Sequence, residues 1–130
     1  MEVVETLHTT ISNLENGYDI ITLTKLIKFC NLYNYSLDFV CGLTRKNINY
    51  NKIKTDKETL GRKLKELRIS LKLSQQQIAD ECSITRSCYS HYEIGRNLVS
   101  TLTLYTICKT HNVSMDWIVG RTNNKITLKS

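Results

Sequence analysis

The chain has 130 residues, 41% of them hydrophobic and 23% charged, with a formal net charge of +6. That suits one globular domain, or one plus a fragment. No apolar run approaches the length of a membrane span. The opening MEVVETLHTT has neither a basic stretch nor an apolar one, so no secretory leader is expected, and the expected compartment is the cytoplasm.

The chain contains no proline, so nothing breaks a helix from within. Five cysteines are present (Cys30, Cys41, Cys82, Cys88, Cys108), an odd number with no C-x-x-C spacing. Zinc needs clustered Cys or His ligands; the expectation is buried reduced thiols, no metal and no cofactor. The positive charge is uneven. Six Lys/Arg meet six Asp/Glu in residues 1–56, a net of zero, whereas twelve meet six in 57–130, a net of +6. A basic C-terminal part suggests an anionic partner, most often nucleic acid.

Residues 1–44 carry scattered apolar positions (Ile11, Leu14, Leu23, Leu26, Ile27, Phe29, Leu37, Phe39). The Asn- and Lys-rich stretch LTRKNINYNKIKTDK that follows has weak helical periodicity, and residues 45–57 are read as a linker. Beyond it, residues 58–122 read as a domain of five helices. The first covers about Lys57 to Leu71, where Leu60, Leu64, Leu67 and Leu71 form one apolar stripe and Arg62, Lys63, Lys65 and Glu66 face outward. Ser74 is a good cap for a short helix over Gln75–Cys82, with Ile78 and Ala79 inward. Thr85 can cap a third over Arg86–Glu93, stopped by Gly95. A fourth covers about Thr101–His111, with Leu104, Ile107 and Cys108 on one face. Ser114 caps a last one over Met115–Val119, closed by Gly120, and 123–130 is a tail.

Searching for repeats uncovers one at a constant offset of 78. LENGYDIITLTKLIKFCNLYNYSLDFVCGLT (14–44) lies over YEIGRNLVSTLTLYTICKTHNVSMDWIVGRT (92–122) without a gap. Glu15, Gly17, Leu26, Cys30, Asn34, Ser36, Asp38, Gly42 and Thr44 match Glu93, Gly95, Leu104, Cys108, Asn112, Ser114, Asp116, Gly120 and Thr122. LHTTISNL upstream then falls on TRSCYSHY. Residues 1–44 therefore read as a truncated three-helix copy of the last three helices of the domain. Such a piece cannot bury its apolar faces alone and must pack on the complete domain or on a second chain.

The pair of short helices in SQQQIADECSITRSCYSHYEIG (74–95) meets the requirements of a helix-turn-helix. The turn is short, Ala79 is small where the helices cross, Ile84 plugs the core from the turn, and Tyr89 and Tyr92 face inward. The remaining positions are polar and able to bond bases or phosphates. The stretch from Leu60 to Thr122 resembles the lambda-repressor/Cro-type (XRE) helix-turn-helix family, and the half-copy resembles it over roughly forty more residues. The implied fold is all-α, a lambda-repressor-like five-helix domain preceded by the truncated pseudo-repeat. Ser83 stands where the family usually has Gly, Ser100 where Pro is common, and Tyr89 where Ile or Val is usual; these are expected to shift local packing and leave the fold intact.

The resemblance implies a role for each site residue. Gln75, and less so Gln76, would contact phosphate at the start of the second helix. Thr85 would cap the recognition helix and touch a phosphate. Arg86 and Ser87 would stand at its first exposed turn, where Arg can reach guanine bidentately, with Ser90 and His91 one turn further on. Arg96 and Asn97 would grip the backbone. Arg68 would pair with Glu93 as a structural salt bridge. The implied function is a repressor-like, sequence-specific transcriptional regulator, a homodimer on double-stranded DNA. The alternative is a protein-binding regulator of antitoxin or anti-repressor type, with residues 1–44 as the surface for a protein partner. In the half-copy His8, Thr9 and Asn13 fall at would-be DNA positions, but its zero net charge and missing Gln-bearing helix argue against DNA contact. Three scattered histidines (His8, His91, His111), no acid pair at catalytic spacing and no Gly-rich phosphate loop argue against an enzyme.

Overall fold

The computed structural model describes residues 22–48 and 50–125. Among them are seven helices: α1 (Leu23–Tyr33), α2 (Leu37–Val40), α3 (Lys57–Ser70), α4 (Gln75–Glu81), α5 (Arg86–Glu93), α6 (Thr101–His111) and α7 (Met115–Val119). The fold is all-α. The helix expected to precede α1, with His8, Thr9, Ile11, Asn13, Leu14 and Glu15, lies outside the described residues, as does the end of the tail.

The helix starts are written in the capping residues. Asp56, Ser74, Thr85, Ser100 and Ser114 each accept a hydrogen bond from a backbone N–H of the first turn of α3 to α7, satisfying donors that a helix leaves without partners. At α4 the cap is reciprocal, since Gln77 also accepts from the Ser74 N–H at 2.8 Å. The apolar stripes converge: Leu60, Leu64 and Leu67 of α3, Ile78 and Ala79 of α4, Tyr89 of α5, Leu104 and Ile107 of α6 and Ile118 of α7 are all buried. α5 packs on α3 and α4, while α7 packs on α3 and α6. Lys63 of α3 lies over the Trp117 ring at 4.5 Å, and Lys125 of the tail covers it at 5.2 Å. The turn residue Ser83 has φ +57°, a left-handed conformation that costs a non-glycine residue about 1–2 kcal/mol. A glycine there would lower that cost.

The repeat is also a repeat in space. Asn34 and Asn112 end α1 and α6 with φ of 62° and 56°, and Gly42 and Gly120 follow α2 and α7 with φ of 80° and 92°. Thr22 and Ser100 cap one pair of helices, Ser36 and Ser114 the other. The linker is tied to both units. Asn47 accepts from the Ser36 N–H at 2.9 Å and donates to the Asn34 carbonyl at 3.1 Å. The Ile53 carbonyl accepts from Asn31 at 2.7 Å, and Asn51 and Arg121 exchange two bonds of 3.2 Å.

The half-copy docks on the complete domain through α2 and α7. Asp116 accepts from the backbone N–H groups of Leu37 (2.9 Å) and Asp38 (3.0 Å) at the start of α2. Asp38 accepts from the Met115 N–H (2.7 Å) and the Ser114 hydroxyl at the start of α7. Each carboxylate thus caps the other copy's helix, and Asp38, Asp116 and Ser114 are all buried. The symmetry is incomplete. Arg121 donates to Asp116 at 2.7 Å with both side chains fully buried, whereas the residue 78 positions earlier is Leu43. Of the two neighbouring acids, Asp116 is the one bonded to the guanidinium. Burial first, and the neighbouring Asp116 second, push the Asp38 carboxyl up to about 8.

Candidate nucleic-acid interface

The eight residues of α5 divide sharply between two faces. Tyr89, Tyr92 and Glu93 are buried against α3 and α4, whereas Arg86 and Ser87 are exposed at the first turn, with Ser90 and His91 half-buried behind them. Thr85 is exposed and holds the Cys88 N–H at 3.0 Å. Past the helix, Gly95 turns the chain with φ +76°. The N–H groups of Arg96 and Asn97 then donate to the His91 carbonyl at 3.0 and 3.3 Å. Both side chains are exposed at the opposite end of α5 from Arg86, about 12 Å along its axis.

What holds α5 in place is a buried polar network. Arg68 of α3 grips Glu93 with two bonds, Nε–Oε2 at 2.6 Å and Nη2–Oε1 at 3.2 Å, and its Nη1 donates to the Leu73 carbonyl at 3.0 Å. Gln75 at the start of α4 adds a third donor to Glu93 Oε1, at 3.1 Å. The Tyr89 hydroxyl lies between Glu93 and the Leu64 carbonyl. Burial alone would raise the Glu93 carboxyl, but the hydrogen bonds from Arg68, Tyr89 and Gln75 outweigh it and hold the group below its ordinary value. Three helices meet at this one carboxylate. Gln75 is half-buried, with one of its two amide N–H groups used on Glu93. Gln76 is exposed and its amide donates to Asp80 one turn on, at 2.7 Å.

One positioning residue escapes the sequence pattern. Gly61, buried in α3, lies so close to the end of α5 that a Cβ atom there would come within 2.5 Å of both the Tyr92 and Glu93 carbonyl oxygens. Its only signal in the sequence is a glycine inside a leucine-striped helix, a choice that costs about 0.5–1 kcal/mol relative to alanine. Asp38, Asp116 and Arg121 also carry no signal of their role, although the first two match across the repeat.

Two short helices, α4 and α5, joined by a short turn and held together at Glu93, with exposed polar groups on the second, form a helix-turn-helix. The chain belongs to the helix-turn-helix family, whose profile matches residues 8–40 and 64–118, the half-copy as well as the complete domain. It is similar to the uncharacterized HTH-type transcriptional regulator YqaE of Bacillus subtilis (strain 168), 39% identical over 64 residues. That match takes in 48% of this chain and 55% of that protein. It is also similar to the SPbeta prophage-derived uncharacterized HTH-type transcriptional regulator YonR of the same strain, 37% identical over 68 residues. There the match takes in 52% of this chain and 63% of the relative. The chain thus spans less than two thirds of the length of either curated relative. Among the described residues no helix is long and apolar enough to cross a membrane.

Proposed function

We propose that the protein is a sequence-specific, repressor-like DNA-binding regulator of transcription, with α5 lying in the major groove. The observation that carries this reading is the pairing of an exposed Arg86–Ser87 turn with the Arg68–Glu93–Gln75 clamp behind it, closed on the buried Glu93 carboxylate. A helix that reads base edges must present its N-terminal polar groups in a fixed orientation, and the clamp supplies the orientation. Arg86 reads a base, with Ser87, Ser90 and His91 beside it. Thr85 and the second amide N–H of Gln75 serve phosphates, Gln76 joins them once it swings from Asp80, and Arg96 and Asn97 hold the backbone at the far end. The relatives' names, both those of transcriptional regulators, support the same reading. The homodimer implied by the resemblance would set two such helices about 34 Å apart; the docked half-copy favours a different arrangement.

The test is a competition shift assay on duplexes from around the protein's own gene. Arg86→Ala is expected to narrow the preference for the best site over random DNA by about 5–150-fold, equivalent to about 1–3 kcal/mol. Affinities that fall equally for every duplex would remove Arg86 from base reading, and a wild type indifferent to sequence would remove the proposal itself.

A further inference from the structure

The contact between α2 and α7 has the form of an interface between two identical subunits, made inside one chain. In a two-fold interface residue i meets residue j while j meets i. Here Leu37 N–H meets Asp116, and Met115 N–H, 78 positions after Leu37, meets Asp38, 78 positions before Asp116. Asp38 N–H adds a second bond to Asp116 and the Ser114 hydroxyl a second to Asp38, so that each carboxylate holds two donors of the other copy. The surrounding apolar side chains obey it too: Leu37 and Val40 are buried, and so are their counterparts Met115 and Ile118.

We infer that the α7 face is a self-docking surface for a second copy of this domain, and that the half-copy permanently occupies it, so that the protein is a one-chain pseudo-dimer. Three observations point the same way. The half-copy retains the docking elements, α1 and α2 with their caps Thr22 and Ser36. The linker is bonded to both units by Asn31, Asn47 and Asn51, which holds the internal partner at high effective concentration. A break in the symmetry, Leu43 opposite Arg121, is tolerated because only one copy must carry the guanidinium. An intact second copy would bring its own Arg121 and would have to displace a partner that never diffuses away.

The mass of the full chain in solution, measured by sedimentation from micromolar to hundred-micromolar concentration, tests the inference. A particle of 15.0 kDa at every concentration is expected; a two-chain particle overturns the inference. Asp38→Lys places a cation at the start of α7 and releases the half-copy. With its helical ellipticity retained the variant is expected to sediment at twice the wild-type mass, as bare α7 faces pair; a folded variant that stays single overturns self-docking. Should the variant lose its ellipticity, the wild-type mass alone decides between the two.

Discussion

Replacing Gly61 by alanine tests whether α5 is held by close contact with α3. At an ordinary helical position the change stabilises, by about 0.5–1 kcal/mol, because glycine loses more freedom on folding. Here the new methyl group would stand 2.5 Å from the carbonyl oxygens of both Tyr92 and Glu93 and 2.9 Å from the Glu93 carbonyl carbon. Ordinary contacts begin at about 3.5 Å, so the end of α5 must retreat by roughly 1 Å. The neighbours that would have to yield are backbone, and they carry the Glu93 side chain that Arg68 and Gln75 hold. Overpacking of this kind costs about 1–3 kcal/mol, more than the propensity gain. The expected net loss is about 1–2 kcal/mol, a fall in melting temperature of roughly 3–10 °C for a chain of this size. Denaturant unfolding followed by circular dichroism measures it. If the reading of α5 as the DNA-facing helix holds, affinity falls further than stability, because the helix moves. A variant as stable as the wild type, or more so, would refute the claim that α3 and α5 touch here at van der Waals distance.

Glu93→Ala removes a carboxylate only 2% exposed at the side chain that a half-buried guanidinium grips; a loss of about 3–5 kcal/mol in unfolding free energy is expected. Because hydrogen bonds hold the Glu93 carboxyl below its unfolded value, its contribution is present above that value and disappears on acidification through the lower one. Wild-type stability should therefore drop below about pH 4, and a Glu93→Ala chain should lack that step. Asp38 acts in the opposite sense. Its carboxyl is raised from 3.8 to about 8, so the folded chain keeps a proton that the unfolded chain releases. That stabilisation is complete in acid, declines from about pH 4 to about pH 8, and is constant above, with a slope of up to about 1.4 kcal/mol per pH unit. The group beside it is Asp116, itself bonded to Arg121, with the Ser114 hydroxyl bonded to Asp38 and Tyr50, Cys41 and Cys108 nearby. Asp38→Asn keeps the shape without the titration and should flatten urea midpoints between pH 5 and 8; an unchanged slope would place the proton elsewhere.

Much of the helical framework could be read from local chemistry. Ser74, Thr85 and Ser114 announce helix starts because a hydroxyl can satisfy an orphan N–H with no help from the rest of the chain. Leu60, Leu64 and Leu67 announce a buried stripe because the helical period is fixed. The pairing of Arg68 with Glu93 follows from family resemblance, and its two-bond grip at 2.6 and 3.2 Å is a matter of tertiary geometry.

What sequence alone determined, then, is everything set by neighbours within a few turns: the helices, their caps and the repeat of 78 residues. It also determined that the half-copy needed a surface to cover its apolar residues. Only the tertiary structure decided which surface. The exchange of Asp38 and Asp116 joins residues 77 to 79 positions apart, and no local rule distinguishes a partner in the same chain from one in another. Likewise Gly61 matters only because α5 arrives beside it from beyond α4. Long-range packing selects among partners that the local code leaves equivalent, and here it selected the chain's own fragment.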